Sequence, residues 1–202
     1  LVYWLGADLG VFYSSYYLVN EKLSRDTRIN VSKILFFLDQ APRISMILIF
    51  PSGIHLAKSL GYLNISYSMV ISIWLIALAW LILVCVLHIK GQAVKKLALF
   101  DYWLRIMFVL GMSYVFLNIV INQPEYIWAG KKILAFTITV ICGLIIRKKL
   151  SSFKPAFVSL IEGKDTAESN QILKMSIASS RPFVVLIWAC LLFNTVLGLH
   201  LI

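Results

Sequence analysis

Long apolar runs alternate with short basic stretches along the whole chain. A membrane-crossing helix needs about 20 mostly apolar residues, because each residue adds about 1.5 Å across a hydrocarbon core of about 30 Å. Six runs reach or approach this length, and we predict that they cross the membrane at residues 1–19, 44–63, 66–88, 102–121, 128–146 and 182–201. The first run opens on Leu1 within apolar sequence, so we expect its helix to be truncated rather than short by design.

Two of the connecting stretches carry apolar residues at helical spacing among polar ones. We predict amphipathic helices at the membrane interface for residues 24–40 and 167–178, the second following a break at residues 163–165. No internal repeat or low-complexity segment separates parts of the chain. The pattern therefore predicts an all-α, polytopic membrane helical bundle with about six transmembrane helices, forming a single transmembrane domain over residues 1–202.

The composition agrees with lipid as the solvent. The chain is 60% hydrophobic and 14% charged, with a mean hydropathy of +0.87. Soluble domains carry about 25% charged residues. A net charge of +10 would suggest nucleic acid in a soluble protein, but here the basic residues separate apolar runs. We expect the lipid bilayer and membrane proteins as partners, and no nucleic acid.

The basic residues also predict the orientation. Of the 19 Lys and Arg residues, all but Lys58, Lys131 and Lys132 belong to the first, third and fifth connecting stretches with their helix ends. Basic connections stay in the cytoplasm. We therefore predict a multi-pass protein of a bacterial inner membrane, with its basic loops in the cytoplasm and both termini facing outward.

Four predicted spans place a polar side chain about 15–18 Å from their cytoplasmic ends, near the middle of the bilayer. These residues are Asp8, His55, Thr137 and Asn194. Thr137 and Asn194 fit hydrogen bonding between helices. Asp8 and His55 can instead form a charge pair, a proton relay or a ligand site, with His55 as the metal ligand. Pro51 predicts a kink one turn before His55.

Acidic and basic residues also recur four apart near the cytoplasmic face, as Asp39 with Arg43 and Asp101 with Arg105. This spacing puts each pair on one helical face and favours structural anchoring. We also expect Asp39 to cap the following helix. The alternative is that the arginines bind an anionic headgroup or a propionate-bearing cofactor. The arginines of this alternative are Arg43, Arg105, Arg147 and Arg181.

The stretches YWLGADLGVFYSSYYLVN (residues 3–20) and LDQAPRISMILIFPSGIHLA (38–57) resemble a set of uncharacterised bacterial integral membrane proteins. They are also distantly similar to CopD-type copper-resistance proteins and HemJ-type protoporphyrinogen oxidases. The resemblance covers roughly the first 65 residues and implies haem b or copper as a cofactor. HemJ-type enzymes bind haem through a histidine early in the first helix, where this chain has none, so His55 is the axial candidate by its chemistry. Met107 and Met112 could join His55 around copper.

The chain carries no P-loop, HExxH, GxSxG or CxxC motif, which argues against a nucleotide-driven pump, a zinc protease or a serine hydrolase. Three hypotheses stay open. The first is a redox or cofactor-binding membrane protein centred on His55 and Asp8. The second is a transporter or metal-handling protein that uses the Pro51 kink. The third is a non-catalytic accessory subunit of a larger membrane complex.

Overall fold

The computed structural model describes residues 1–164 and 166–199, with Gln92 and Ala93 described by their backbone alone. Over this part of the chain the regular structure is helical, without a strand. The α-helices are α1 (Val2–Leu18), α2 (Arg25–Leu38), α3 (Gln40–Ser59), α4 (Tyr67–Lys90), α5 (Lys95–Asn122), α6 (Ile127–Lys149), α7 (Phe153–Glu162) and α8 (Ala167–Gly198). The predicted all-α class is confirmed.

Five helical segments of the described residues are long and apolar enough to cross a membrane. They are Arg25–Ser59 (α2 and α3 in succession), Tyr67–Lys90, Lys95–Asn122, Pro124–Lys149 and Ala167–Gly198. Helix α1, at 17 residues, is shorter than these segments, so its crossing of the membrane stays a prediction. The chain is thus an all-helical protein of the multi-pass membrane class.

The second predicted span, residues 44–63, stays a prediction, and the helix that holds most of it has other bounds. Helix α3 begins at Gln40 and ends at Ser59, and Gly61 follows with a φ of 79°. A positive φ is adopted by glycine without steric cost, so the chain turns here while the sequence is still apolar. Asp39 precedes α3 but makes no side-chain capping bond, which corrects the expected cap.

Residues 167–178 and most of the predicted span at 182–201 belong to one continuous helix, α8. Its start is fixed by a capping box: the Thr166 hydroxyl accepts from the Ser169 backbone N–H, and the Thr166 N–H donates to the Ser169 hydroxyl. Pro182 lies inside the helix and cannot donate to the Ala178 carbonyl four residues earlier. Helix α7 was not predicted as a separate element.

The chain forms two compact units. The first comprises Leu1–Val11 and Leu35–Asp101, and the second comprises Phe12–Ile34 and Tyr102–Ile202. In the first unit α3 packs on α4, with Ile47 of α3 and Val70 of α4 almost fully buried. Gly10 of the same unit lies close to Leu38: a Cβ atom at this position would lie 2.9 Å from Cδ1 of Leu38, so the leucine side chain would have to shift.

In the second unit α6 and α8 form the most extensive helix pair. The two helices are antiparallel, since Lys132 near the start of α6 lies beside Gly198, and Lys149 at its end lies 5.6 Å from the ring of Phe183. The buried side chains of α6 and α8 are small or hydroxyl-bearing at least as often as they are large. They include Ala135, Thr137, Cys142, Ser176, Ser180 and Cys190. Small interface residues let membrane helices approach closely.

Two arginines of α2 tie helix ends together in the second unit. Arg25 donates to the carbonyls of Leu160 and Ile161 in the last turn of α7. Arg28 is 3% exposed and donates to the carbonyl of Leu18, the last residue of α1, over 2.8 Å. Last-turn carbonyls have no partner within their helix and carry the negative end of its dipole. The arginines therefore hold the ends of α1 and α7 against α2.

Candidate functional site

The second unit holds Arg181 of α8 against aromatic side chains of α1. The centre of its guanidinium lies 3.5 Å from the centroid of the Tyr16 ring and 5.4 Å from that of Phe12. The Phe12 ring in turn lies 5.2 Å from that of Trp188, which is two turns further along α8. A cation within about 6 Å of an aromatic face is attracted to it, and more strongly when water is excluded.

Arg181 has an unmet hydrogen-bonding capacity. Its Nε atom is buried, and residues 1–164 and 166–199 offer this atom no acceptor. No carboxylate in the same part of the chain pairs with its guanidinium. A buried donor without an acceptor costs about 1–3 kcal/mol, and more when it is charged. The site is therefore suited to an anionic group that approaches Arg181 from outside the chain.

The exposed aromatic residues beside this site belong to the same end of α1. Tyr13 and Tyr17 are 66% and 57% exposed, and Tyr16 itself is 46% exposed. Tyrosines concentrate where the hydrocarbon meets the headgroups of a bilayer, because they combine an apolar ring with a polar tip. Arg181 thus lies beside a cluster whose chemistry matches the headgroup level of a membrane.

The first unit contains a different ionic cluster. Arg43 of α3 donates from Nε to the Asp39 carboxylate over 2.8 Å, which confirms this predicted pair. The Asp101 carboxylate of α5 lies close enough to attract the same guanidinium. Asp101 is 4% exposed and accepts a 3.0 Å hydrogen bond from Nε1 of Trp80 in α4. The charge of Arg43 is thus neutralised by this chain's own carboxylates.

The residues predicted to lie near the middle of the bilayer are distributed over both units. Asp8 and His55 belong to the first unit, and Thr137 and Asn194 to the second. Thr137 is buried and donates to the Ile133 carbonyl of its own helix over 2.7 Å. Oδ1 of Asn194 is buried without a donor among the residues that the structure describes. Asp8 is half-buried and interacts with another group of the protein.

His55 is exposed on α3, on the same helical face as Ser52 and Ser59. The Ser52 hydroxyl donates to the Leu48 carbonyl, and that of Ser59 to the His55 carbonyl. The imidazole of His55 makes no hydrogen bond or ion pair with the described residues. The imidazole of His55 therefore lies on an exposed face of a predicted span.

The predicted metal and haem ligands are not assembled around His55. Within the described residues no three His, Cys, Asp or Glu side chains form a group that could hold a metal ion. Arg43, the predicted propionate partner, is bound to Asp39, and Arg105 is half-buried and likewise partnered. Met107, predicted as a copper ligand, is 65% exposed. The residues present do not fit haem or copper at His55, and both cofactors stay predictions.

Sequence reasoning missed the partners that define these two clusters. Phe12 and Tyr16 lie four residues apart and share a helical face. This spacing was the available signal for an aromatic surface that a cation could contact. Trp80 was not among the predicted site residues, although its indole N–H donates to a buried carboxylate. Both contacts join residues that are far apart in the chain.

Comparison of the chain with models of known protein families, with curated proteins and with solved structures found no significant match. The functional assignment therefore rests on the chemistry of the Arg181 site and on the multi-pass helical fold.

Proposed function

We propose that this chain is a multi-pass protein of a bacterial inner membrane that binds an anionic amphiphile at Arg181. The orientation places the basic connections in the cytoplasm and both termini outward. It is supported by the concentration of Lys and Arg in alternate connections, with Lys58, Lys131 and Lys132 as the exceptions. In this orientation Arg181 and the Tyr16 ring lie at the cytoplasmic headgroup level.

The observation that supports the binding function is the state of the Arg181 guanidinium. A half-buried cation next to hydrocarbon is costly unless an opposite charge compensates it. The Tyr16 face supplies part of that compensation, but Nε keeps an unused donor within the described residues. A carboxylate or phosphate oxygen on the accessible part of the guanidinium would compensate the remaining charge with a charge-assisted hydrogen bond.

The aromatic neighbours define the rest of the ligand. Phe12 and Trp188 supply apolar surface beside the cation, and Tyr16 has an exposed edge. The ligand class is therefore a molecule with an anionic group and an apolar body. An anionic phospholipid and a propionate-bearing porphyrin both satisfy this description, and the second corresponds to the redox hypothesis.

The test uses the full chain purified in mild detergent, with native mass spectrometry and an absorbance spectrum of each sample. We expect one anionic amphiphile to be retained by the wild type, and Arg181→Gln to weaken its binding about tenfold or more, because a hydrogen bond to a charged group contributes about 1.5–3 kcal/mol. A phospholipid mass identifies the lipid source, whereas a Soret band with a porphyrin mass identifies the cofactor source.

Arg147→Gln is the matched control, since Arg147 is an exposed arginine 5.7 Å from the Tyr102 ring. It should leave retention of the amphiphile unchanged. Equal retention by Arg181→Gln and the wild type, or no anionic molecule on either, would overturn the proposal.

The accessory-subunit hypothesis has its own support in the exposed His55 face. Ionisable residues in membrane helices face protein or water rather than lipid. A partner helix over Ser52, His55 and Ser59 would remove His55 from lipid. Stoichiometric co-purification of a membrane protein that is lost in His55→Leu would support this second function, and unchanged co-purification would count against it.

A further inference from the structure

An apolar groove runs along the α6 and α8 pair beside the first turns of α6, apart from the Arg181 site. Its volume is about 370 Å³. The side chains that line it, beside Lys131, are Leu134, Ala135 and Ile138 of α6 and Ala189, Cys190 and Phe193 of α8. All of these belong to the second unit.

Small side chains produce the recess. Ala135 and Cys190 are buried at the contact between the helices, and Ala189 is exposed beside Cys190. The longer side chains of Leu134, which is 38% exposed, and Phe193, which is 40% exposed, stand at its edges. The groove is therefore open to the surroundings of the bundle, and in a membrane those surroundings are acyl chains.

Lys131 lines the groove in the first turns of α6 and is exposed. Within the parts of the chain that the structure covers, no carboxylate pairs with it. Its neighbour Lys132 is placed differently, since its Nζ atom lies 5.1 Å from the Trp128 ring and next to Gly198. A tryptophan and two lysines at the start of a membrane helix are typical of the headgroup level.

We propose that this groove binds one anionic phospholipid, with an acyl chain along Ala135 and Ala189 and the headgroup phosphate on Lys131. Charge and solvent together indicate the occupant. The groove wall is apolar, and the group at its end is a cation that the described residues leave without a carboxylate. A bilayer lipid carries both an apolar chain and an anionic group. Basic residues beside recesses between membrane helices bind anionic headgroups in this way. The site is distinct from Arg181 and lies in the opposite leaflet if the proposed orientation holds.

The experiment measures native mass spectra of the full chain titrated with phosphatidylglycerol or phosphatidylcholine. We expect the wild type to prefer phosphatidylglycerol, and Lys131→Gln to reduce that preference about fivefold, since one lysine near a membrane surface contributes about 1 kcal/mol. Ala189→Phe fills the groove from its exposed side and should reduce retention of both lipids.

The matched controls are Lys132→Gln for the charge and Leu186→Phe for the added ring, because Leu186 is exposed and does not line the groove. Both should behave as the wild type, and the elution profile in size-exclusion chromatography checks that every variant is folded. Lipid retention that is the same in Lys131→Gln and Lys132→Gln, or undiminished in Ala189→Phe, would overturn the site. Arg181→Gln should leave the Lys131-dependent preference intact, so the two proposals fail separately.

Discussion

Arg43 of the first unit and two arginines of the second unit, Arg25 and Arg181, have different kinds of partner. In the first unit the Arg43 guanidinium is bound by the Asp39 carboxylate and attracted by that of Asp101. In the second unit Arg25 donates to the carbonyls at the end of α7, and Arg181 rests on the Tyr16 ring. Carboxylates cancel a positive charge, whereas carbonyls and rings compensate only part of it. The second unit thus keeps cationic character that an external anion can use.

This difference separates anchoring from binding. In a pair such as Asp39 with Arg43, each side chain compensates the charge of the other, so little net charge remains for a ligand. Arg181 has the same side chain, but its partner is a ring and its Nε has no acceptor in the described residues. The comparison teaches that the partner of a membrane arginine, rather than its presence, indicates a binding site.

The largest effect is expected at the buried carboxylate of the first unit. Trp80→Phe retains most of the ring and removes the indole N–H that donates to Asp101. Loss of one donor to a buried carboxylate should lower the free energy of unfolding by about 2 kcal/mol. Steric-trapping or detergent unfolding of the purified protein measures this change.

Trp103→Phe is the control for that substitution, since Trp103 is 56% exposed. It should change the free energy of unfolding by less than about 0.5 kcal/mol. If both substitutions cost the same, the Asp101 carboxylate does not depend on Trp80, and the ordered ionic cluster of the first unit is refuted.

A somewhat smaller effect is expected where Arg25 meets the end of α7. Gly163 has a φ of 71°, and a Cβ atom there would lie 2.9 Å from Nη1 of Arg25. Gly163→Ala should therefore destabilise the second unit by about 1–2 kcal/mol through backbone strain and displacement of Arg25. The same unfolding assay measures it, with hydrogen exchange in α7 as a local readout.

Gly143→Ala is the comparison variant, for which we expect the free energy of unfolding to rise rather than fall. Gly143 lies inside α6 with open space around a new Cβ atom, so alanine should stabilise the helix by up to about 1 kcal/mol. A Gly163→Ala variant as stable as Gly143→Ala would show that the contact between Arg25 and the end of α7 does not constrain the fold.

The smallest effect on stability is expected for Asp39→Asn, which removes the carboxylate bound to Arg43. The pair is partly exposed and joins residues four apart in the chain, so its loss should cost at most about 0.5 kcal/mol. The informative readout is binding: native mass spectrometry should show increased retention of anionic phospholipid, about threefold to fivefold at low salt.

Asp39→Ala is the second variant. It should increase retention of anionic phospholipid as Asp39→Asn does, which would show that the increase follows from the lost charge and not from the new amide. If neither substitution increases retention, the neutralisation of Arg43 by its carboxylates does not explain why the two units differ.

Local patterns predicted the parts of the site that depend on neighbours in the chain. The i, i+4 spacing of Asp39 and Arg43 was sufficient, because helical geometry alone brings them together. The turn after Ser59 could not be predicted, since residues 60–63 are mostly apolar and the hydropathy continues past the helix end. The continuity of α8 was missed because Pro182 usually interrupts a helix, whereas here the helix continues through it.

The sequence by itself determined two properties: the chain is suited to lipid as its solvent, and its regular structure is helical. Apolar runs of membrane length leave a helix as the structure that satisfies its own backbone hydrogen bonds in hydrocarbon, and the described residues are helical as expected. Only the tertiary structure decided the partners of Arg181 and Arg25. Arg181 and Tyr16 are separated by most of the chain, and so are Arg25 and Leu160. No periodicity encodes such pairs, because helix packing sets their distances.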